Sequence, residues 1–374
     1  MKVPFVDLTR VAALVQDEAR SAWAKLVSNT EFVGGPTVRA FEAALGAELR
    51  ARHVVACASG SHALVIALQA LGIGPGKKVA LPNLTFWATY EAVAQLGATA
   101  VLIDVDPEDL QMSLAELGVA FEQHRFDAAI LVHLMGWASP RLAEIRRWCA
   151  ERGIALLEDG AQSFGVEVDG APVYAGAQLS TLSFYPAKVL GGCMDGGAIL
   201  TDDETLAEHC RRLGNHGRTS HFGYAHVGWN SRMGGLQAAW LMQMLGHAPE
   251  ILACRRTLLA RYQAELAQSS ARCRLHLPPA AVRGNGYLCV CTLERASHEA
   301  MARRLGEAGI GVGRVYPSTL ADQAPARAAL RASDLKHSRA FCRKVLNLPL
   351  YYAMSDEELG HVTDELGAAL QQRS

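Results

Sequence analysis

Lys188 stands in the stretch Ser183-Phe184-Tyr185-Pro186-Ala187-Lys188-Val189-Leu190-Gly191-Gly192-Cys193-Met194-Asp195-Gly196-Gly197. It follows a β-type run, Leu179 to Tyr185, and precedes glycine-rich turns. An amine held on a tight turn between strands is restrained in both burial and motion. Burial lowers an amine's pKa and makes it a nucleophile. Taken alone, an ordinary solvated lysine before a turn explains the same residues. Other segments have to decide between the two.

Ala58-Ser59-Gly60-Ser61-His62 lies where a strand ends and a helix begins. Gly60 allows close backbone approach, and Ser61 can donate its N–H and its hydroxyl to a phosphate at a helix N-terminus. A plain serine cap is the alternative. Pro82-Asn83-Leu84-Thr85-Phe86-Trp87-Ala88-Thr89 follows another strand end, where Phe86 or Trp87 could stack on a flat ring or simply pack under a helix start. In Leu156-Leu157-Glu158-Asp159-Gly160-Ala161-Gln162-Ser163 an Asp follows a buried apolar run. Such a carboxylate must be paired or functional. Asp159 could hold a protonated ring nitrogen, or cap a helix, and Gln162 could donate to a ring oxygen. Asn230 and Arg232, in Val227-Gly228-Trp229-Asn230-Ser231-Arg232-Met233, suit an anionic ligand or a solvated loop.

No one segment decides the matter, but their agreement does. Phosphate donors, a stacking aromatic, an Asp for a ring nitrogen, a Gln for a ring oxygen and a lysine amine meet the needs of pyridoxal 5′-phosphate (PLP). Gly72-Ile73-Gly74-Pro75-Gly76-Lys77-Lys78 looks like a nucleotide phosphate loop. It lacks the Ser or Thr after the lysine and runs from helix to strand, the wrong order, so it reads as a turn. His133 and His209 have no partners at ligand spacing, and no metal is expected.

The elements that must position these residues alternate from residue 54 onward. Val54 to Cys57, Val79 to Leu81, Ala100 to Ile103, Ala128 to Val132 and Ile154 to Leu157 read as strands, with helical segments between them. Strands rich in Val and Ile without polar alternation predict a parallel sheet covered on both faces, with ligands at the strands' C-terminal ends. Residues Leu8 to Leu26 have helical spacing. A helix from Gly235 is expected to end at Gly246-His247-Ala248-Pro249, with a second from Ile251 to Ala267. A strand Tyr287 to Leu293, a helix Glu299 to Ala308, a strand Val312 to Val315 and helices near 337–346 and 356–370 make a separate α+β pattern. The expected domains are therefore 1–248 and 249–374.

The 374 residues carry a net charge of −1 without long single-sign runs, so nucleic acid and anionic membranes are not expected partners. The nine cysteines are scattered and form no C-x-x-C pair, which suits a reducing compartment. Asp7 and Arg10 interrupt the first apolar stretch, so no signal peptide is read there, and no run of about 18 apolar residues occurs. A cytoplasmic protein is the expectation.

These motifs resemble the PLP-dependent sugar aminotransferases of the DegT/DnrJ/EryC1/StrS type. The resemblance starts at Pro4-Phe5-Val6-Asp7-Leu8 and Phe32-Val33-Gly34-Gly35-Pro36. It passes through the segments above to Leu236-Gln237-Ala238-Ala239, and is clearest over residues 4–266. It implies a fold-type I aminotransferase, with a large α/β/α domain and a smaller C-terminal α+β domain. It also implies that Lys188 bonds the cofactor and moves protons, that Gly60, Ser61 and Ser183 hold the phosphate, and that Phe86 stacks on the ring. Asp159 would pair with the ring nitrogen and Gln162 with the phenolic oxygen. Asn230 would reach the cofactor phosphate of a neighbouring subunit, implying a homodimer with shared sites. Arg232 and Tyr316 would meet substrate. The implied reaction moves an amino group from L-glutamate to a 3-keto or 4-keto group of a nucleotide-linked sugar, for cell-surface polysaccharide or glycoconjugate synthesis. The lysine and Asn230 stretches look most like members acting on 3-keto hexuronic acids. A carbocyclic ketone, an elimination on a sugar, or a non-catalytic regulatory role on the same fold are the alternatives. Relative to the family, Ser61 replaces Thr, Gly160 replaces Ala, Asp195 replaces Glu and Ala321 replaces His. Asp195 has no assigned role.

Overall fold

The computed structural model describes residues 1–267 and 272–371. Two helices, α1 (Thr9–Ser28) and α2 (Gly35–Leu49), precede the alternating part of the chain. That part runs β1 (His53–Cys57), α3 (Gly60–Ala70), β2 (Lys78–Pro82), α4 (Trp87–Gln95), β3 (Thr99–Ile103), α5 (Leu114–His124), β4 (Ala128–Val132), α6 (Leu142–Ala150) and β5 (Ala155–Asp159). A small hairpin, β6 (Glu167–Val168) and β7 (Ala171–Pro172), leads to β8 (Leu179–Ser183), β9 (Gly197–Thr201) and α7 (Glu204–Gly214). The Gly72–Lys78 decoy is the turn between α3 and β2, where Lys77 pairs with Asp127 at 2.7 Å.

After α8 (Gly235–Leu266) come β10 (Cys273–His276), β11 (Val282–Arg283), β12 (Cys289–Leu293), α9 (His298–Glu307), β13 (Leu330–Arg331), α10 (Lys336–Lys344), β14 (Val345–Leu348) and α11 (Asp356–Gln371). The main sheet has eight strands in the order β1-β9-β8-β5-β4-β2-β3-β13. From β8 to β13 all neighbours are parallel, while β9 is antiparallel to both β8 and β1. β4 and β9 are buried at every residue, as strands covered on both faces must be. β10, β12 and β14 form a separate antiparallel sheet.

Two apolar cores result. One surrounds the main sheet; the other holds Tyr262, Cys289, Cys291, Leu346 and Leu359, and takes in Val3. Val3 joins this second core through a parallel bridge to Ile310. The expected break at Gly246–Pro249 does not occur: α8 is one 32-residue helix with Pro249 inside it. A proline there removes one N–H and crowds the preceding turn, at a cost of about 3 kcal/mol. Burial outweighs that cost, because Leu241, Met244 and Ile251 pack in the first core and Leu258, Tyr262 and Leu266 in the second. The expected strand Val312–Val315 is reduced to a single bridge, Gly313 to Asn347, and Val345 and Leu346, expected at the end of a helix, instead begin β14. Among the described residues, no helix is long and apolar enough to cross a membrane.

The turn carrying Lys188 is anchored by apolar contact. Phe184 is fully buried, and Phe41 of α2 meets it edge-on at 5.5 Å. Phe41→Ala should destabilise the protein by about 3–5 kcal/mol in denaturant unfolding, by loss of transfer energy and the cavity left behind.

Candidate active site

The C-terminal ends of β2, β4, β5 and β8 and the N-terminus of α3 open onto a cavity of about 560 Å³. Gly60, Ser61, Phe86, Asp159, Gln162, Ser183, Lys188 and Tyr316 all line it. Residues that are distant in sequence therefore meet as expected. Asn230 and Arg232 do not line it. They are exposed on the chain's surface, where Arg232 Nε and Nη2 donate to Asn230 Oδ1 at 3.1 and 2.6 Å.

The cap of α3 is Ser59, whose hydroxyl accepts from His62 N at 3.2 Å. The N–H groups of Gly60 and Ser61 are left without helical acceptors and Ser61 keeps its hydroxyl. Gly60 has no room for a side chain, since a Cβ would sit 2.7 Å from Ser183 Cβ. That closeness sets the Ser183 hydroxyl beside the helix start. Thr181 also lines the cavity, and its buried Oγ1 has no partner among the described residues.

Asp159 ends β5 opposite Val132 of β4 and Thr181 of β8. Burial pushes its carboxyl up. The Ala161 N–H (3.1 Å to Oδ1), the Thr89 hydroxyl (3.0 Å to Oδ2) and the charge of Lys188 partly offset this. Thr85 Oγ1 lies 3.0 Å from Thr89 Oγ1 and extends this chain. Gly160 N donates to Thr181 O at 2.9 Å, and a Cβ at Gly160 would lie 2.5 Å from Tyr174 Cε1, so no Ala fits beside this tyrosine.

Behind the carboxylate lies a second buried group. Burial pushes Glu158 up, but bonds from His133 (2.9 Å) and a two-pronged Arg146 (2.7 and 2.9 Å) outweigh it and hold the group below the usual range.

Gln162 Oε1 accepts from Met135 N at 2.6 Å, and its Nε2 donates to Tyr316 OH at 2.9 Å. One amide hydrogen remains for another acceptor. Burial pushes the Tyr316 phenol up, so it stays neutral and can donate. Phe86 faces Tyr316 with ring centroids 6.2 Å apart and is 58% exposed, leaving its face open. Lys188 Nζ stands 5.1 Å from the centroid of the Tyr287 ring. Asp195 lines the cavity too. Ala321 is buried, and its N–H donates to Asn83 Oδ1, so that position offers no polar side chain.

Sequence reasoning missed Thr89, Tyr287 and the Glu158 cluster. Thr89 had a usable signal, standing four residues after Thr85 and one turn into a helix that starts at a strand end. Tyr287 had none.

This donor set fits PLP: free N–H groups and hydroxyls for a phosphate, an open aromatic face, a buried carboxylate for a ring nitrogen and an amine for an aldehyde. Residues 14–367 match the DegT/DnrJ/EryC1/StrS aminotransferase family. The chain belongs to that family. It is 32% identical over 349 residues to UDP-2-acetamido-2-deoxy-3-oxo-D-glucuronate aminotransferase of Pseudomonas aeruginosa, covering 93% of this chain and 95% of that one. Its fold superposes on S. venezuelae DesV with a TM-score of 0.94 and 30% identity over the whole of both chains. It also matches Bacillus subtilis NtdA, solved with the bound cofactor PMP, with a TM-score of 0.91 and 28% identity over 99% of this chain and 86% of that one. The protein is thus a PLP-dependent aminotransferase.

A neutral Asp159 cannot pair with a protonated ring nitrogen, so cofactor affinity should fall as pH drops through the titration of this carboxyl. Thr89→Val removes a donor to the carboxylate, raises its pKa further and should move that loss to higher pH; Thr89→Ser should not. Fluorescence titration of the cofactor-stripped protein with PLP at successive acid pH values checks this.

Proposed function

We propose that this aminotransferase takes an amino group from L-glutamate, releasing 2-oxoglutarate, and passes it to a 3-keto or 4-keto group of a nucleotide-linked sugar. The observation that carries the reading is the convergence of Lys188, Asp159 and Gln162 on one cavity that Phe86 and Tyr316 also line. The activity of the Pseudomonas relative, on a 3-oxo sugar nucleotide, supports the substrate class. The aminated sugar would serve cell-surface polysaccharide or glycoconjugate synthesis.

When bound, the cofactor supplies an electron sink for the carbanion formed beside the transferred nitrogen. The chain supplies the rest. The Gly60 and Ser61 N–H groups with the Ser61 and Ser183 hydroxyls bind the phosphate. Phe86 covers the ring face, Asp159 keeps the ring nitrogen protonated, and the spare amide hydrogen of Gln162 meets the phenolic oxygen. Lys188 Nζ would hold the cofactor covalently, and its free amine would carry a proton between the cofactor carbon and the substrate carbon. Tyr316 lines the substrate side.

Asn230 and Arg232 act across a dimer interface, Asn230 toward the neighbouring cofactor's phosphate and Arg232 toward the substrate's anionic groups. Their outward placement supports this, as does the exposure of Phe222 (84%) and Val227 (90%) on the same loop, which a second copy would cover. The chain divides near residue 248 into a cofactor-binding part and a smaller part that supplies Tyr316. Free cysteines throughout, at nine positions, support a cytoplasmic enzyme.

Lys188→Ala should abolish transamination and the visible absorbance of the bound cofactor; a variant turning over at the parent rate would sink the proposal. Mixing Lys188→Ala chains with Asn230→Ala chains, each nearly inactive alone, should restore about a quarter of the parent activity, because only mixed dimers contain one complete site. Absence of any recovery after subunit exchange would place Asn230 in its own chain's site.

A further inference from the structure

The turn that carries Lys188 is closed at its base by its own backbone. Gly192 N donates to Phe184 O and Phe184 N to Gly196 O, each at 2.8 Å, while Lys188 N donates to Tyr185 O at 2.8 Å. The residues just beyond this closure, Cys193 and Met194, belong to no strand and need partners elsewhere. One side chain from the first turn of α8 supplies them. Gln237 is 1% exposed. Its Oε1 accepts from Cys193 N and Met194 N, both at 3.1 Å, and its Nε2 donates to Met194 O at 2.9 Å. The Cys193 thiol points at the same Oε1 from 3.2 Å. Three backbone groups of one turn, two N–H and one carbonyl, are thereby satisfied by a single buried carboxamide.

The fit is specific on both sides. A Cβ at Gly192 would collide with Gln237 Nε2, and one at Gly196 would come within 2.9 Å of it. The paired glycines therefore leave room for the carboxamide. One helical turn further on, Trp240 Nε1 donates to Gly191 O at 3.0 Å. Asp195, which lines the active-site cavity beside Lys188, directly follows the clamped Met194.

We propose that Gln237 is a positioning residue for Lys188: its carboxamide fixes the 191–196 turn and so sets where Nζ stands when it is bonded to the cofactor and when it is free to move a proton. This rests on Lys188 being the covalent anchor. Gln237 touches neither cavity nor reactants and acts through the turn alone. Without the carboxamide, two N–H groups and one carbonyl lose their partners and the turn must relax to find others. Proton transfer is steeply sensitive to such movement, with about 10²-fold lost for an ångström of misplacement.

Gln237→Met keeps the volume of the side chain and removes its hydrogen bonds. In the full-length enzyme loaded with PLP, kcat should fall about tenfold or more while the KM for glutamate stays within about twofold. The pH midpoint of the bound cofactor's visible absorbance should also shift, a change that loss of stability alone does not produce. Trp240→Phe, which removes only the outer bond, should shift the midpoint less. An unchanged midpoint and kcat in Gln237→Met would overturn the proposal, as would a loss of activity that only matches the fraction of unfolded protein. If Gln237→Met does not fold, Gln237→Glu, which keeps an acceptor for Cys193 N and Met194 N, takes its place: a shifted midpoint supports the proposal and an unchanged one overturns it. Lys188→Ala, measured alongside, separates the two readings. If that variant keeps its absorbance, the assignment of Lys188 fails; if it loses the absorbance while Gln237 variants match the parent, only the role of Gln237 fails.

Discussion

A carboxylate buried at the end of a central strand is the constraint around which this site is arranged. Asp159 is only 4% exposed, and an ionised group there is tolerated only with partners. The fold provides these from separate directions: an N–H from the loop that follows, a hydroxyl from α4, and the nearby charge of Lys188. None of these fully offsets burial, since the carboxyl remains above its ordinary value. The carboxylate therefore has capacity left for a cationic partner in the cavity, and under the proposed function the cofactor's ring nitrogen is that partner.

The layer behind Asp159 shows how the strand ends are kept rigid. Glu158 points away from the cavity and is locked by His133 and Arg146, with Arg146 also donating to Val173 O and Ala175 O at 2.7 Å. Adjacent acidic residues on one strand thus face opposite sides and meet opposite demands. One is fully paired within the protein; the other is left partly unpaired toward the cavity. The period-2 alternation of a strand makes this division possible.

Long-range organisation comes from α8. It begins just after the outward-facing Asn230 and Arg232, clamps the lysine turn through Gln237 and Trp240, and ends in the second core with Tyr262, whose hydroxyl donates to Pro349 O at 2.8 Å. A break at Pro249 would uncouple these contacts. The continuous helix instead joins the lysine turn to the part of the chain that supplies Tyr316.

Much of the site was legible in the sequence because its parts are local. A strand end followed by Ser59-Gly60-Ser61, or by Asp159-Gly160-Ala161-Gln162, specifies its own geometry over a few residues, and the order of these segments places them along one sheet edge. The alternating strands and helices of residues 53–159 were readable for the same reason: apolar runs and caps are short-range signals. What only the tertiary structure decided involves partners far apart in the chain. Thr89 reaches Asp159 across 70 positions, Tyr287 lies under Lys188, Gln237 holds the turn at 193–194, and the two cores keep α8 whole through Pro249. Local propensity is silent or misleading at each of these, because their energies come from burial and hydrogen bonds that exist only once the chain has folded.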